Sequence, residues 1–289
     1  MRTGLTADIV AAELLKVRKR WLPYVFLLPV VALLALQVFA AYFAGWRHDH
    51  DQSALRASVL PASLSGILDL IQYLGAVVLG IFAASAVATE FAWGTVRQAL
   101  VRGQTRTQFL TAKLLGLALI GALGFLLVLS LALMFSGIVT ALEGRHVSGP
   151  SVGDGVLMVL RAAFSIAPYL LLSFCLAVVG RSTTLGAGGI LIFVIAESIV
   201  LGVLGGIGGA AADARAFLLG HNVSALLAVG RPEGSEQFVS LAPRPSPPLS
   251  ELPDPAVAAL VVAVYCLMFL AIAYAVFQRR DLTSEAGGS

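Results

Sequence analysis

Glu197 stands inside an apolar run that reads from Leu185 to Gly206, and a charge near mid-bilayer costs at least about 2.5–3.5 kcal/mol. Twelve residues past Leu185, at about 1.5 Å each, it falls slightly beyond the midplane of a layer about 30 Å thick. A carboxylate there does one of two jobs: it makes a polar contact across packed helices, or it is a protonatable group on a transport path. Asp69 lies shallower, near the outer end of its own run, where solvation or pairing with Arg161 suits it. A denser set of candidate residues falls between Thr89 and Lys113, with Glu90, Gly94, Thr95, Arg97, Leu100, Arg102 and Arg106. The planar guanidinium fork makes bidentate bonds to carboxylates and carbonyls, so this segment is equipped for recognition. Glu90 is expected to pair with Arg97 or Arg106 and so fix the angle of the loop.

Several chemistries are excluded or weak. A phosphate-binding loop needs Gly-Lys before Ser or Thr, and the three lysines, Lys16, Lys19 and Lys113, follow Leu15, Arg18 and Ala112. ATP therefore has no site of that kind in this chain, and no cofactor is expected in it. Gly149-Pro-Ser151-Val-Gly153 spells a serine-hydrolase elbow, but that motif works on a strand-to-helix turn and here it lies in a short loop between apolar runs. His48-Asp49-His50-Asp51 carries ligand-type side chains, yet adjacent residues rarely converge on one ion, so a solvated turn is the reading and no metal is expected. Cys175 and Cys266 both fall in apolar helices and are read as small buried hydrophobes. No catalytic residue is assigned.

The elements that must carry these residues follow from composition. Apolar residues make up 58% and charged residues 12%, with a mean hydropathy of +0.92, well outside the soluble range. Six runs are long enough to cross a bilayer: Leu22 to Ala44, Ile67 to Ala88, Leu114 to Thr140, Met158 to Val179, Leu185 to Gly206 and Ala256 to Phe277. The third is long enough to tilt or project. With the N-terminus inside, twelve of the nineteen Lys and Arg residues fall on the inner side. The expected fold is an all-α integral membrane protein with six transmembrane helices, both termini cytoplasmic, and a single transmembrane domain over 1–289. The net charge of +3 is accounted for by this bias and by anionic lipid headgroups, so no nucleic-acid partner is expected.

Thr6 to Trp21 reads as an N-terminal interfacial helix, occupying 1–21 and lying on membrane lipid. In the loop 89–113, Thr95 to Arg102 suits a short helix that stops at Gly103, and Thr105 with Gln108 is a capping-box start for the third span. The outer segment 207–255 has a glycine-rich start, an apolar middle at Ala216 to Val229 and a proline-rich end at Leu241 to Pro255. Its middle suits short outer helices or a re-entrant hairpin, and its end an extended linker.

At the loop 89–113 the sequence resembles the ABC-2-type permeases, membrane subunits of ATP-binding-cassette exporters. Their pattern is Glu, three residues, Gly-Thr, then spaced Arg, Leu, Arg and Lys, which Glu90, Gly94, Thr95, Arg97, Leu100, Arg106 and Lys113 match in order. Ala12-Glu-Leu-Leu-Lys-Val-Arg-Lys-Arg20 is similar to that family's opening, while Gly103 stands where many members carry proline. The resemblance implies a multi-pass permease in the plasma membrane of a prokaryote, working as a dimer with itself or a sister subunit. It also implies two copies of a separate ATPase, which would bind the ATP and Mg, with the loop residues as the coupling element. Two other readings remain open. One is an ion-coupled transporter using Glu197; the other is a membrane-embedded hydrolase using Ser151.

Overall fold

The computed structural model describes residues 22–47, 59–60, 62–144, 151–207, 213–229 and 251–279. The elements in chain order are α1 (Leu22–Arg47), α2 (Ser63–Ala92), α3 (Thr95–Val101), α4 (Arg106–Leu142), α5 (Val152–Gly180), α6 (Thr183–Ile207), a 3-10 turn (Ala214–Phe217), α7 (Leu219–Ala228) and α8 (Pro255–Arg279). Six of these helices are long and apolar enough to cross a membrane, and no strand occurs among the described residues. The protein is a multi-pass, all-helical membrane protein. Helices are the natural outcome, since a lipid layer offers backbone groups no water and each run must satisfy its own. The expected interfacial helix and the His48–Asp51 turn lie outside the described residues.

α5 is the axis of the bundle, packing against α2, α6 and α8, with Tyr169, Phe174 and Ala177 fully buried. Small residues let three helices close at one point. Ser173 Oγ lies 2.5 Å from the Gly80 carbonyl and 3.1 Å from that of Gly186, donating from α5 toward α2 and α6. A Cβ on Gly186 would stand 2.6 Å from Ala84 Cβ and 3.1 Å from the Ser173 carbonyl, so only glycine permits this approach. α1 packs on the outside of α4 and α2 through Val30, Leu34 and Val38.

The two ends of the bundle differ. At one end, here the basic end, lie Arg97, Arg102, Arg106, Arg181 and Arg279. At the far end α2 and α4 meet through Ser63 and Ser136, whose hydroxyls are 2.5 Å apart, and through the Leu60 N–H on Thr140 Oγ1 at 3.1 Å. Between the ends, α4, α6 and α8 expose leucine, isoleucine and valine along their length, among them Leu123, Ile192, Ile195 and Leu267. Such a belt suits acyl chains and would drive aggregation in water.

Candidate functional site

α3 is a two-turn helix set off from its neighbours by two glycines. Gly94 has φ 66° and Gly103 has φ 90°, left-handed values that other residues adopt at a cost. An added Cβ would meet nothing within 4 Å at either position, so the backbone conformation, not space, requires glycine. At the far side of α3 the Gly103 N–H donates to the Leu100 carbonyl and the Gln104 N–H to that of Ala99, a Schellman closure. The chain then re-enters a helix through the expected capping box. Thr105 Oγ1 accepts from the Gln108 N–H at 3.2 Å, and Gln108 Oε1 accepts from the Thr105 N–H at 3.0 Å.

The base of this element is tied into the bundle. Glu90, expected to pair with Arg97 or Arg106, instead accepts from Lys113 Nζ at 2.8 Å, and both side chains are about 6% exposed. The reason is packing: α2 and α4 lie side by side, so a lysine 23 residues on is nearer than arginines on a loop that turns outward. Thr95 Oγ1 donates toward the Glu90 carboxylate and lies 3.0 Å from the Glu90 carbonyl, which fastens the start of α3 to the end of α2. Arg106 turns onto its own chain, its Nη1 donating to the Gln278 carbonyl at 2.7 Å and to that of Phe277 at 3.3 Å, and so caps α8. Phe277 packs with Phe91 and Phe109, ring centroids 6.1 Å apart in each pair. The Arg181 guanidinium, from the turn between α5 and α6, sits 5.8 Å over the Phe91 ring.

What α3 buries and what it shows are distinct. Val96 is buried and Leu100 half-buried against the bundle, whereas Arg97, Gln98, Val101 and Arg102 are exposed, Val101 at 81%. Trp93, just before α3, is 68% exposed. The basic end thus presents a short ridge with two apolar side chains and two guanidiniums, anchored beneath to α2, α4 and α8 and to the turn between α5 and α6.

Residues 27–283 match the model of a family described as protein of unknown function, DUF2705. The chain is a DUF2705 protein. No curated protein matches it.

Well inside α6 of this DUF2705 protein the second candidate, Glu197, is 5% exposed. Its Oε1 accepts from the Gly220 N–H at 2.6 Å, in the first turn of α7, and Tyr169 Oη lies 3.5 Å from its Oε2. The apolar middle of the segment 207–255 is helical, the 3-10 turn leading into α7. Tyr265 Oη donates to the Phe217 carbonyl at 3.0 Å, and Arg215 pairs with Glu251 at 2.9 Å. His221 is held below its ordinary value of 6.5, first by burial and next by Arg215, with Glu251 opposing.

The remaining candidates of this DUF2705 protein are structural. Ser151 caps α5: its Oγ accepts from the Asp154 N–H at 3.2 Å and donates to the Asp154 carboxylate at 2.7 Å, the ordinary work of a serine before a helix. Among the described residues no group of three His, Cys, Asp or Glu side chains could hold a metal ion. Cys175 and Cys266 are free thiols, the first buried and the second half-buried. Two features went unread in the sequence, Lys113 as the partner of Glu90 and the Gly220 N–H as the partner of Glu197. Lys113 carried a signal, being one of three lysines and standing where an apolar run begins.

Proposed function

We propose that this DUF2705 protein is the membrane permease subunit of an ATP-driven exporter of the ABC-2 type, coupled through α3 to a separate ATPase on the cytoplasmic side. The observation that carries this reading is the ridge itself. A helix of seven residues, bounded by left-handed glycines, exposes Arg97, Gln98, Val101 and Arg102 while its base is locked to the spans. An exposed tryptophan and valine alongside two arginines make a surface of the kind that anchors in a partner's groove with acidic groups at its rim. Force applied there would reach α2 and α4 through Glu90, Thr95 and Lys113, and α8 through Arg106. Discrete repacking of such tied helices is how a local push becomes a change of access. The ATPase would hold the nucleotide and Mg, and two permease copies, or this chain and a sister, would enclose the path. Arg106, occupied by the end of α8, serves in this reading as a brace, and Arg97 and Arg102 meet the partner.

The test is charge reversal, Arg97→Glu with Arg102→Glu, in the full chain in its native membrane. The ATPase should then fail to co-purify while the permease still inserts, because like charges at an interface cost several kcal/mol. Normal co-purification and normal stimulation of hydrolysis would overturn the assignment.

A further inference from the structure

Glu197 and Tyr265 both lie well inside the spans that carry them. Glu197 is ten residues before the end of α6 and Tyr265 ten residues after the start of α8, about 15 Å along each helix at 1.5 Å per residue. Both bind the segment between those helices: Glu197 takes the Gly220 N–H, and Tyr265 reaches the Phe217 carbonyl. The start of α7 is therefore set down among the spans and does not rest on their ends. Leu219, Val223 and Leu226 are buried, and α7 packs mainly on α8 and α5. A helix start in such a place has backbone N–H groups with no intrahelical partner and no water at hand. Glu197 supplies an acceptor there, and its negative charge suits the positive end of the helix dipole.

We propose that Glu197 is the positioning residue for α7, its carboxylate seating the inserted helix between α5, α6 and α8 so that loss of the carboxylate releases the segment 213–229. The carboxylate takes the Gly220 N–H from α7 and has Tyr169 of α5 beside it, while Tyr265 of α8 holds the nearby Phe217 carbonyl. The other ties of the segment lie beside it and hold its approach, Arg215 on Glu251 and Asn222 Nδ2 on the Ala216 and Leu218 carbonyls. The inference goes beyond the exporter reading and needs no ATPase, because the seat is a property of this chain alone.

The test uses the full chain in membrane fragments open on both faces, with Cys175 and Cys266 replaced by alanine. A cysteine is placed at Ser224, half-buried on α7, and a control cysteine at Ser136, buried on α4. The rate of modification by a water-soluble maleimide is then read with Glu, Gln or Leu at position 197. Glu197→Leu should raise the rate at Ser224 by at least about tenfold, the equivalent of one lost hydrogen bond to a charged group. Glu197→Gln keeps an acceptor without the charge and should fall between the two, with the Ser136 rate constant throughout. A Ser224 rate in Glu197→Leu within twofold of native would overturn the proposal. So would a Gln rate above the Leu rate, or an equal rise at Ser136, which would mean that the bundle and not the seat had failed.

Discussion

Lys113 Nζ lies 2.8 Å from Glu90 Oε1, and this one contact joins the end of α2 to the second turn of α4 beneath the short helix between them. Both side chains are buried within the protein, so neither charge is hydrated while the contact is closed. A buried ion pair adds little net stability over a well-packed apolar pair, but breaking it strands a charge.

Lys113→Met alone should therefore destabilise the protein by about 3–5 kcal/mol, whereas Glu90→Leu with Lys113→Met should be far milder. Heat-induced unfolding of the three proteins in detergent measures the difference. If the double variant were as unstable as the single one, the pair would owe its effect to shape and not to charge.

Gly186→Val should fail to assemble a normal bundle, because the branched side chain must enter a space where even its Cβ would stand 2.6 Å from Ala84 Cβ. Gly188→Ala, two residues along the same helix and with nothing within 4 Å of its added Cβ, should be tolerated. Yield of folded protein after detergent extraction separates them, and equal yields would contradict the three-helix junction at Ser173.

Acid should loosen α7 through His221. A folded-state value below 6.5 means that the unfolded segment binds the extra proton, so this contribution is fully present above 6.5 and is lost as pH falls from there toward the folded value. Thermal stability should decline as the pH falls below about 6.5 in the native chain, and His221→Gln should flatten that decline. Superimposable pH curves for the two would show that the imidazole stays neutral for reasons unconnected with folding.

Much of the architecture was legible because lipid imposes it. Six uninterrupted apolar runs are a length signal, and the structure extends most of them by a few residues, Ala44 to Arg47 and Ile67 back to Ser63 among them. The punctuation of the loop was equally plain, since Gly103 and the Thr105–Gln108 box act locally and within a few residues. The partners of the two buried carboxylates were not legible. Local spacing pointed Glu90 toward arginines on its own loop, while tertiary packing brought up Lys113 from the next span. Glu197 presented a harder case, because its partner is a backbone N–H on a helix 23 residues away, and a backbone group leaves no mark in the sequence.

The length of α4 sets where the Glu90–Lys113 pair must stand. Its 37 residues measure about 55 Å, and even at a tilt of about 40° they would cover about 42 Å along the membrane normal, against a hydrocarbon layer of about 30 Å. About three turns must emerge, and the polar stretch Arg106-Thr-Gln-Phe-Leu-Thr-Ala-Lys113 is suited to supply two of them. The ion pair then sits at headgroup level, where lipid phosphates and water lie within reach should the contact open. There it acts as a clasp at the water's edge, and its parting costs less than the same step in the hydrocarbon interior.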